Sequence, residues 1–265
     1  MFAIPPLAAE TIFNIGLFPV TNTYLTSVLV LFLFLVLGLV LRHKNKEIPG
    51  RAQNFFESIF ETVLRYMDQV THDRKKSLKF LPLCGALFLF ILVANWMAVF
   101  PGIGSIGRTA VEHGKSEFIP LFRPANTDLN MTLAMAVLGV TVSHIFGIVA
   151  IGFWRYANKF VKLGGIWRGL RRGGMSVFVA LVEFAVGFIE IFSEIAKMVS
   201  LSLRLFGNVF AGEVLLTVIG GLVGFLVPLP FIFLEILVGF IQATVFAMLV
   251  LVYLSVATME AEHAH

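Results

Sequence analysis

The residues best able to do chemistry in this sequence are charged side chains inside apolar stretches. One stretch, residues 175–222, carries six of them: Glu183, Glu190, Glu194, Lys197, Arg204 and Glu213. The last apolar stretch adds Glu235 and the polar Gln242. An ionisable group at the centre of a bilayer costs about 2.5–3.5 kcal/mol or more. Such groups therefore indicate a polar path through a membrane, or pairs of opposite charges.

The spacing of these charges predicts where they lie on a helix. Four of them recur every seven residues and form one slowly drifting stripe: Glu183, Glu190, Lys197 and Arg204. Three smaller polar residues fall beside that stripe: Ser193, Ser200 and Asn208. The pattern predicts an inner polar track that leads to Arg204 along Glu190, Ser193 and Ser200. Glu213 lies nine residues beyond Arg204, so it points to the opposite face.

The last apolar stretch matches these positions when it folds back as an antiparallel partner. Arg204 and Gln242 are centred on residue 223, and Glu213 and Glu235 are centred on residue 224. One hairpin that turns at 223–224 therefore brings both pairs to matching depths. Small residues at 207, 211 and 212 allow a close approach of the two helices. The pattern predicts a second, outer track through Glu213 and Glu235.

Simpler explanations exist for several of these residues. Glu194 and Lys197 are three apart and could simply form an ion pair, and Glu183 could face lipid headgroups. His144 could relay a proton or be a hydrogen-bonded bundle residue. Asp128, before the third apolar stretch, is a helix cap or a site of ion uptake.

Arg204 is harder to explain as a structural charge. It stays protonated, and the four residues on either side of it include no carboxylate. Its counter-charge must come from another part of the fold or from another chain.

The composition identifies the setting as a membrane. Of the 265 residues, 58% are hydrophobic and only 14% are charged, where a soluble domain would carry about a quarter. We predict an all-α integral membrane protein with a single domain over residues 1–265. Its five membrane-embedded helices are expected at about 23–41, 80–100, 128–154, 175–222 and 231–257. The 48 residues of 175–222 would measure about 72 Å as one helix, more than twice the hydrocarbon thickness of about 30 Å. We therefore expect the last two helices to be long, tilted and paired as a hairpin.

A further helix, at about 53–67, is amphipathic and too polar to span. We expect it to lie on the membrane surface, or alternatively to pack against a soluble partner. The single cysteine, Cys84, excludes a disulfide within the chain and is expected to be a small buried hydrophobe.

The basic residues predict the orientation. Residues 42–79 hold nine Lys or Arg and 155–172 hold six, whereas 101–127 hold three and the N-terminal tail none. The positive-inside rule then places the N-terminus outside and the C-terminus in the cytoplasm. The same distribution argues against a nucleic-acid partner. The sequence has no recognisable nucleotide or metal motif, so we expect no cofactor and no metal.

One segment carries a family resemblance. The stretch SLSLRLFGNVFAGE, from Ser200 to Glu213, resembles the signature of subunit a of rotary ATP synthases. The final stretch, with Glu235, Gln242 and an ending at Tyr253, is similar to the partner helix of that family. Residues 124–130, PANTDLN, resemble the start of its third span. The similarity covers nearly the whole chain in span order and length.

The resemblance implies an ion path beside a rotating ring of subunit c, with Arg204 as the essential arginine. It implies an outer half-channel that includes Asn208, Glu213, Glu235 and Gln242, and an inner one that includes Glu190, Ser193 and Ser200. Glu194, Lys197, Asp128 and His144 are weaker candidates. Some family members have histidine at the position of Glu235.

The five-span form is similar to the bacterial type, which implies the inner membrane, lipid and the peripheral-stalk subunit b as partners. It also implies an ion-channel subunit that is not an enzyme by itself. A secondary transporter that binds an anionic substrate at Arg204 is the main alternative, although no internal repeat is visible. A membrane scaffold whose charges serve assembly only is a third.

Overall fold

The structure is a computed structural model that describes residues 5–16, 18–44, 50–100, 102–112, 115–160, 175–222 and 226–262. Its α-helices in chain order are α1 Asn22–Lys44, α2 Arg51–Thr71, α3 Arg74–Trp96, α4 Leu129–Ile151, α5 Phe153–Phe160, α6 Met175–Leu222 and α7 Pro228–Glu262. Five of them, α1, α3, α4, α6 and α7, are long and apolar enough to cross a membrane. The predicted all-α membrane fold is confirmed.

The second predicted span is displaced towards the N-terminus. The helix α3 begins at Arg74 rather than at Phe80, because the Asp73 side chain caps it by accepting from the Lys75 N–H at 2.8 Å. It ends at Trp96, and residues 97–100 form tight turns instead of continuing to Phe100. Charged residues can start this helix because its first turn need not lie in hydrocarbon.

The later boundaries differ for reasons of backbone chemistry. The third span ends at Ile151 rather than at 154, because Gly152 adopts φ 92° and separates α4 from the short helix α5. The last helix starts at Pro228 rather than at 231, since a proline in the first helical turn lacks only an N–H that has no acceptor there. It continues to Glu262. The helix α6 has the predicted bounds, and the predicted turn at 223–224 lies outside the described residues.

Two β-hairpins were not predicted. Strands β1 Thr11–Ile15 and β2 Phe18–Thr21 pair antiparallel before α1, and β3 Gly107–Glu112 pairs with β4 Lys115–Pro120 between α3 and α4. The Asn22 side chain donates to the Pro120 carbonyl at 3.5 Å, so both hairpins lie at one end of the bundle. We call this the hairpin end, and the opposite end, where α2 and α5 lie, the basic end.

The core of the bundle is formed by α3, α4, α6 and α7. Large apolar side chains such as Ile91, Leu205 and Phe246 are fully buried there, and Cys84 lies among them as expected. Gly139 of α4 lies directly against Val250 of α7, which allows a close approach of these helices.

The amphipathic helix α2 is longer than predicted and packs on its own bundle. Leu64 and Met67 are buried, and Met67 belongs to the common core next to α3 and α7. Part of the apolar face of α2 is therefore covered by the bundle of the same chain, and not by the membrane surface or a soluble partner. Ile59 and Phe60 remain exposed, and the position of α2 relative to a bilayer stays a prediction.

Candidate functional site

Arg204 lies on the exposed face of α6. The opposite face of that helix is buried in the bundle through Leu201, Leu205 and Val209. Arg204 itself is exposed, beside Gly207, where an added Cβ would meet open space. Among the described residues no side chain or carbonyl makes a hydrogen bond or ion pair with Arg204. The structure therefore presents a permanent positive charge outward from the apolar bundle.

One turn towards the hairpin end, an amide pair joins α6 to α7. Asn208 Nδ2 donates to Gln242 Oε1 at 2.7 Å. Gln242 is only 4% exposed, and its Nε2 finds no hydrogen-bond partner among the described residues. The expected antiparallel pairing of the two helices is confirmed, but Gln242 lies beside Asn208, one turn beyond Arg204.

Further along, the carboxylate of Glu235 lies directly over Gly212. Its terminal atoms occupy the space that a Cβ at Gly212 would take. The predicted matching depth of Glu213 and Glu235 is therefore confirmed to within one residue. Of the three small residues expected to allow close helix contact, Gly212 does so, whereas Gly207 and Ala211 lie on the exposed face.

Glu213 has a partner that sequence reasoning missed. Arg123, in the loop between β4 and α4, donates from Nε to Glu213 Oε1 at 2.9 Å and from Nη2 to Oε2 at 2.9 Å. The Arg123 side chain is 2% exposed, and that of Glu213 is 18% exposed. In the sequence Arg123 was only one of three loop cations. The sequence offers one indication of such a partner. No Lys or Arg lies three or four residues from Glu213, and Arg204 points to the opposite face, so a cation for Glu213 must come from outside α6.

At the basic end, Glu194 is the centre of a second charged cluster. Lys197 Nζ donates to Glu194 Oε1 at 2.7 Å, and His144 Nε2 lies 3.5 Å from Glu194 Oε2. His144 Nδ1 also shares a 2.6 Å hydrogen bond with the Tyr156 hydroxyl of α5. Lys197 lies over the Tyr253 ring, 5.2 Å from its centroid. The simpler interpretation of Glu194 and Lys197 as an ion pair is confirmed, so Lys197 is not an open member of the polar stripe.

The inner track is less connected. Glu190 is half-buried, and Ser193 and Ser200 are exposed on the same side of α6 as Arg204. No hydrogen bond between described side chains joins the two serines. Both serines share a face of α6 with Arg204.

The third span starts with a capped helix. Asp128 accepts from the Asn130 N–H at 2.9 Å and from Thr23 Oγ1 at 3.1 Å. The capping interpretation of Asp128 is confirmed. Next to it, Asn126 donates to Asn95 Oδ1 at 2.6 Å, and Asn95 donates to the Gly239 carbonyl at 3.1 Å. This buried polar link between the loop, α3 and α7 was not predicted.

The comparisons with known proteins decide the family. A family model described as ATP synthase A chain matches residues 23–255. The chain belongs to the ATP synthase subunit a family. The ATP synthase subunit a of Trichlorobacter lovleyi is 33% identical over 232 residues, which are 88% of this chain and 85% of that protein. The subunit a of Geobacter sulfurreducens is 32% identical over an alignment that spans 88% of this chain and 86% of that protein. The subunit a of Moorella thermoacetica is 31% identical over an alignment that spans 92% of this chain and 94% of that protein.

Membership confirms the resemblance carried by the Ser200–Glu213 segment. The family is that of the proton-translocating subunit in the membrane sector of ATP synthase, and the matched relatives are bacterial. Nothing in the comparisons supports the transporter alternative. The roles of individual residues are a separate question, for which the geometry at Arg204, Asn208 and Glu235 provides the starting point.

Proposed function

We propose that this subunit a carries protons through two half-channels that are offset across the membrane and meet beside Arg204. The exposed, unpaired guanidinium of Arg204 is the observation that carries the proposal. A charge in this position lacks a partner within the described chain, so the partner is a carboxylate on another subunit. A ring of subunit c supplies it, and peripheral-stalk subunit b and lipid cover other faces.

The chemistry follows from the cost of charge in hydrocarbon. A ring carboxylate must be protonated while it faces lipid, because burying its ionised form is prohibitive. Near Arg204 the ionised form is favoured, so the carboxylate releases its proton there. Arg204 does not release its own proton, which blocks a direct leak between the half-channels. The proton therefore travels around with the ring.

The half-channels approach Arg204 from opposite ends of the bundle. The outer path starts at the hairpin end and is lined by Glu213, Glu235, Gln242 and Asn208. The unpartnered Nε2 of Gln242 supports this, since a buried donor without a protein partner favours water. The inner path starts at the basic end and passes Glu190, Ser193 and Ser200. A membrane potential of 100 mV supplies about 2.3 kcal/mol for each charge that crosses.

The subunit is not an enzyme by itself in this proposal. It converts a proton gradient into torque on the ring, while the chemistry of ATP takes place elsewhere in the complex. Its setting is the bacterial inner membrane, with the hairpin end and the N-terminus outside and the C-terminus in the cytoplasm.

The decisive test is Arg204→Ala in membranes that contain the assembled ATP synthase. ATP-driven proton pumping into inverted vesicles is measured by quenching of a pH-sensitive dye and normalised to the subunit a content. We expect no pumping above background. Arg108→Ala, which removes an exposed arginine of β3, is the matched control and retains the normal rate. Normal pumping by Arg204→Ala would show that the stator role is wrong.

The orientation is tested separately with single cysteines. Arg108→Cys at the hairpin end is expected to react with an impermeant maleimide on intact cells. Arg65→Cys in α2, which is also exposed, is expected to react only in inverted vesicles. The opposite labelling pattern would reverse the proposed orientation, whatever the result at Arg204.

A further inference from the structure

The Arg123–Glu213 ion pair is the most completely satisfied charge pair that the structure describes at the hairpin end. Both oxygens of Glu213 accept from the guanidinium, with a third contact from Nε to Oε2 at 3.2 Å. The remaining terminal nitrogen, Nη1, donates to the Ala8 carbonyl at 3.3 Å. Such a two-pronged arrangement fixes the orientation of a carboxylate as well as its charge.

Arg123 is held in place independently of Glu213. Its backbone N–H donates to the buried Thr26 hydroxyl of α1 at 3.2 Å. The following Pro124 restricts the backbone, and Ala8 belongs to the segment before β1. Three separate parts of the chain therefore define the position of the guanidinium, which in turn defines the position of Glu213.

The pairing has a consequence for proton movement. A proton on Glu213 would leave the Arg123 guanidinium, only 2% exposed, as an isolated buried charge. The neighbouring carboxylate, Glu235, has no such cation among the described residues and lies over Gly212, one residue before Glu213. The two carboxylates of the outer path are therefore in chemically different situations.

We propose that Arg123 is a positioning residue of the outer path, which holds Glu213 as a fixed counter-charge that lines the path without exchanging the proton. This rests on the proposed function of the chain. Proton exchange on this side then occurs at Glu235. Its carboxylate takes a proton from the outer solution and passes it to an ionised ring carboxylate, which leaves Glu235 ionised again.

A double-mutant cycle tests the proposal in membranes that contain the complete complex. The variants are Arg123→Gln, Glu213→Gln and the two together, and pumping is normalised to assembled complex. Each single variant leaves one buried charge without its partner, so we expect each to lose about tenfold, a coupling within the range measured for contacting residues. The double variant removes both charges and is expected to recover most of that loss. Arg108→Gln is the control for loss of a cation from the same loop region.

The outcomes separate the possibilities. A double variant as slow as Glu213→Gln alone would mean that Glu213 itself carries protons, which overturns the proposal. Arg123→Gln that reduces only the amount of complex, with a normal rate for each assembled complex, would overturn it as well. Arg123→Lys, which keeps the charge but loses the fork, is expected to assemble and to pump at an intermediate rate; a rate equal to wild type would show that the fixed geometry is unimportant.

The result is distinct from that of the Arg204 experiment. If Arg204→Ala pumps normally, the proposed function fails and the inference about Arg123 fails with it. If Arg204→Ala is inactive while the double variant shows no recovery, only the inference about Arg123 fails. The dependence of the rate on outside pH gives a second measurement: the double variant is expected to retain the wild-type profile, and a displaced profile would assign the titration to Glu213.

Discussion

The contact between Gly212 and Glu235 leads to a quantitative prediction for Gly212→Ala. The added methyl group would occupy the space of the Glu235 carboxylate, and the three nearest atoms are all at the end of that flexible side chain. The backbones of α6 and α7 can therefore stay in place while the carboxylate moves. Forcing extra carbon into a packed site costs about 1–3 kcal/mol. Because only the end of a side chain must shift, we expect a cost of about 1–2 kcal/mol for keeping the Glu235 carboxylate in its original position. This cost lowers the population of that position about 5–30-fold.

If proton transfer requires Glu235 in its original position, the pumping rate falls by the same factor. The assay is ATP-driven pumping into inverted vesicles, normalised to the amount of assembled complex. Gly220→Ala is the matched control, because it makes the same change on the same helix at an exposed site where the methyl meets nothing within 4 Å. It is expected to retain the wild-type rate.

A compensating change sharpens the test. Glu235→Asp shortens the side chain by one methylene and makes room for the methyl group. The double variant, Gly212→Ala with Glu235→Asp, is therefore expected to pump faster than Gly212→Ala alone. Wild-type pumping by Gly212→Ala, in membranes where Glu235→Gln is slow, would refute the reasoning, because the carboxylate would then work from another position.

Three shorter predictions concern other contacts. Cysteines in place of Asn208 and Gln242, in a chain without the native cysteine, should be joined by a short bifunctional thiol crosslinker, since the ends of the two native side chains lie 2.7 Å apart; failure to crosslink would contradict the pairing. Tyr156→Phe removes the hydroxyl bonded to His144 and should lower stability by about 1 kcal/mol in thermal unfolding; no change would mean that the bond contributes nothing. The Ser77 hydroxyl and the Arg74 guanidinium, which donates to Asp68 Oδ2 at 2.7 Å, hold the pKa of Asp68 below its usual 3.8. The ionised Asp68 therefore stabilises the folded chain above pH 3.8, and this stabilisation is lost as the pH falls through the lowered pKa of Asp68. Below that pKa, the loss of stability that Asp68→Asn causes in thermal unfolding should disappear.

The fold, and the lack of a partner for Arg204 among the described residues, could be predicted because they depend on local patterns. The helix α6 was predicted to its observed bounds, since long apolar stretches without proline admit one backbone structure in a bilayer. The antiparallel pairing of α6 with α7, and the depth of Glu235 to within one residue, followed from counting residues across the turn. Arg204 stood out because a guanidinium on an apolar helix stays charged and therefore needs a partner of opposite charge.

What could not be predicted depends on contacts between distant parts of the chain. The ion pair of Arg123 and Glu213 joins residues 90 positions apart, and nothing in the spacing of either marks the other. The two β-hairpins were missed because their strands are short and lie in segments that composition alone assigns to loops. The helix α3 starts early because Asp73 caps it, and a prediction based on the length of the apolar stretch does not detect a cap.

The contrast between two arginines supports the proposal that Arg204 finds its partner on another subunit. Arg123 lies in a loop, where a cation has easy access to water, yet it is 2% exposed and bonded on every side. Arg204 lies in the middle of an apolar helix, where a partner is most needed, yet the described chain gives it none. Glu194 and Lys197 show that α6 can supply a partner within one turn. In the proposed mechanism, the exposed Arg204 beside Gly207 receives an external carboxylate that approaches closely and leaves again. A permanent partner for Arg204 would remove that exchange, so its absence among the described residues agrees with the proposed mechanism.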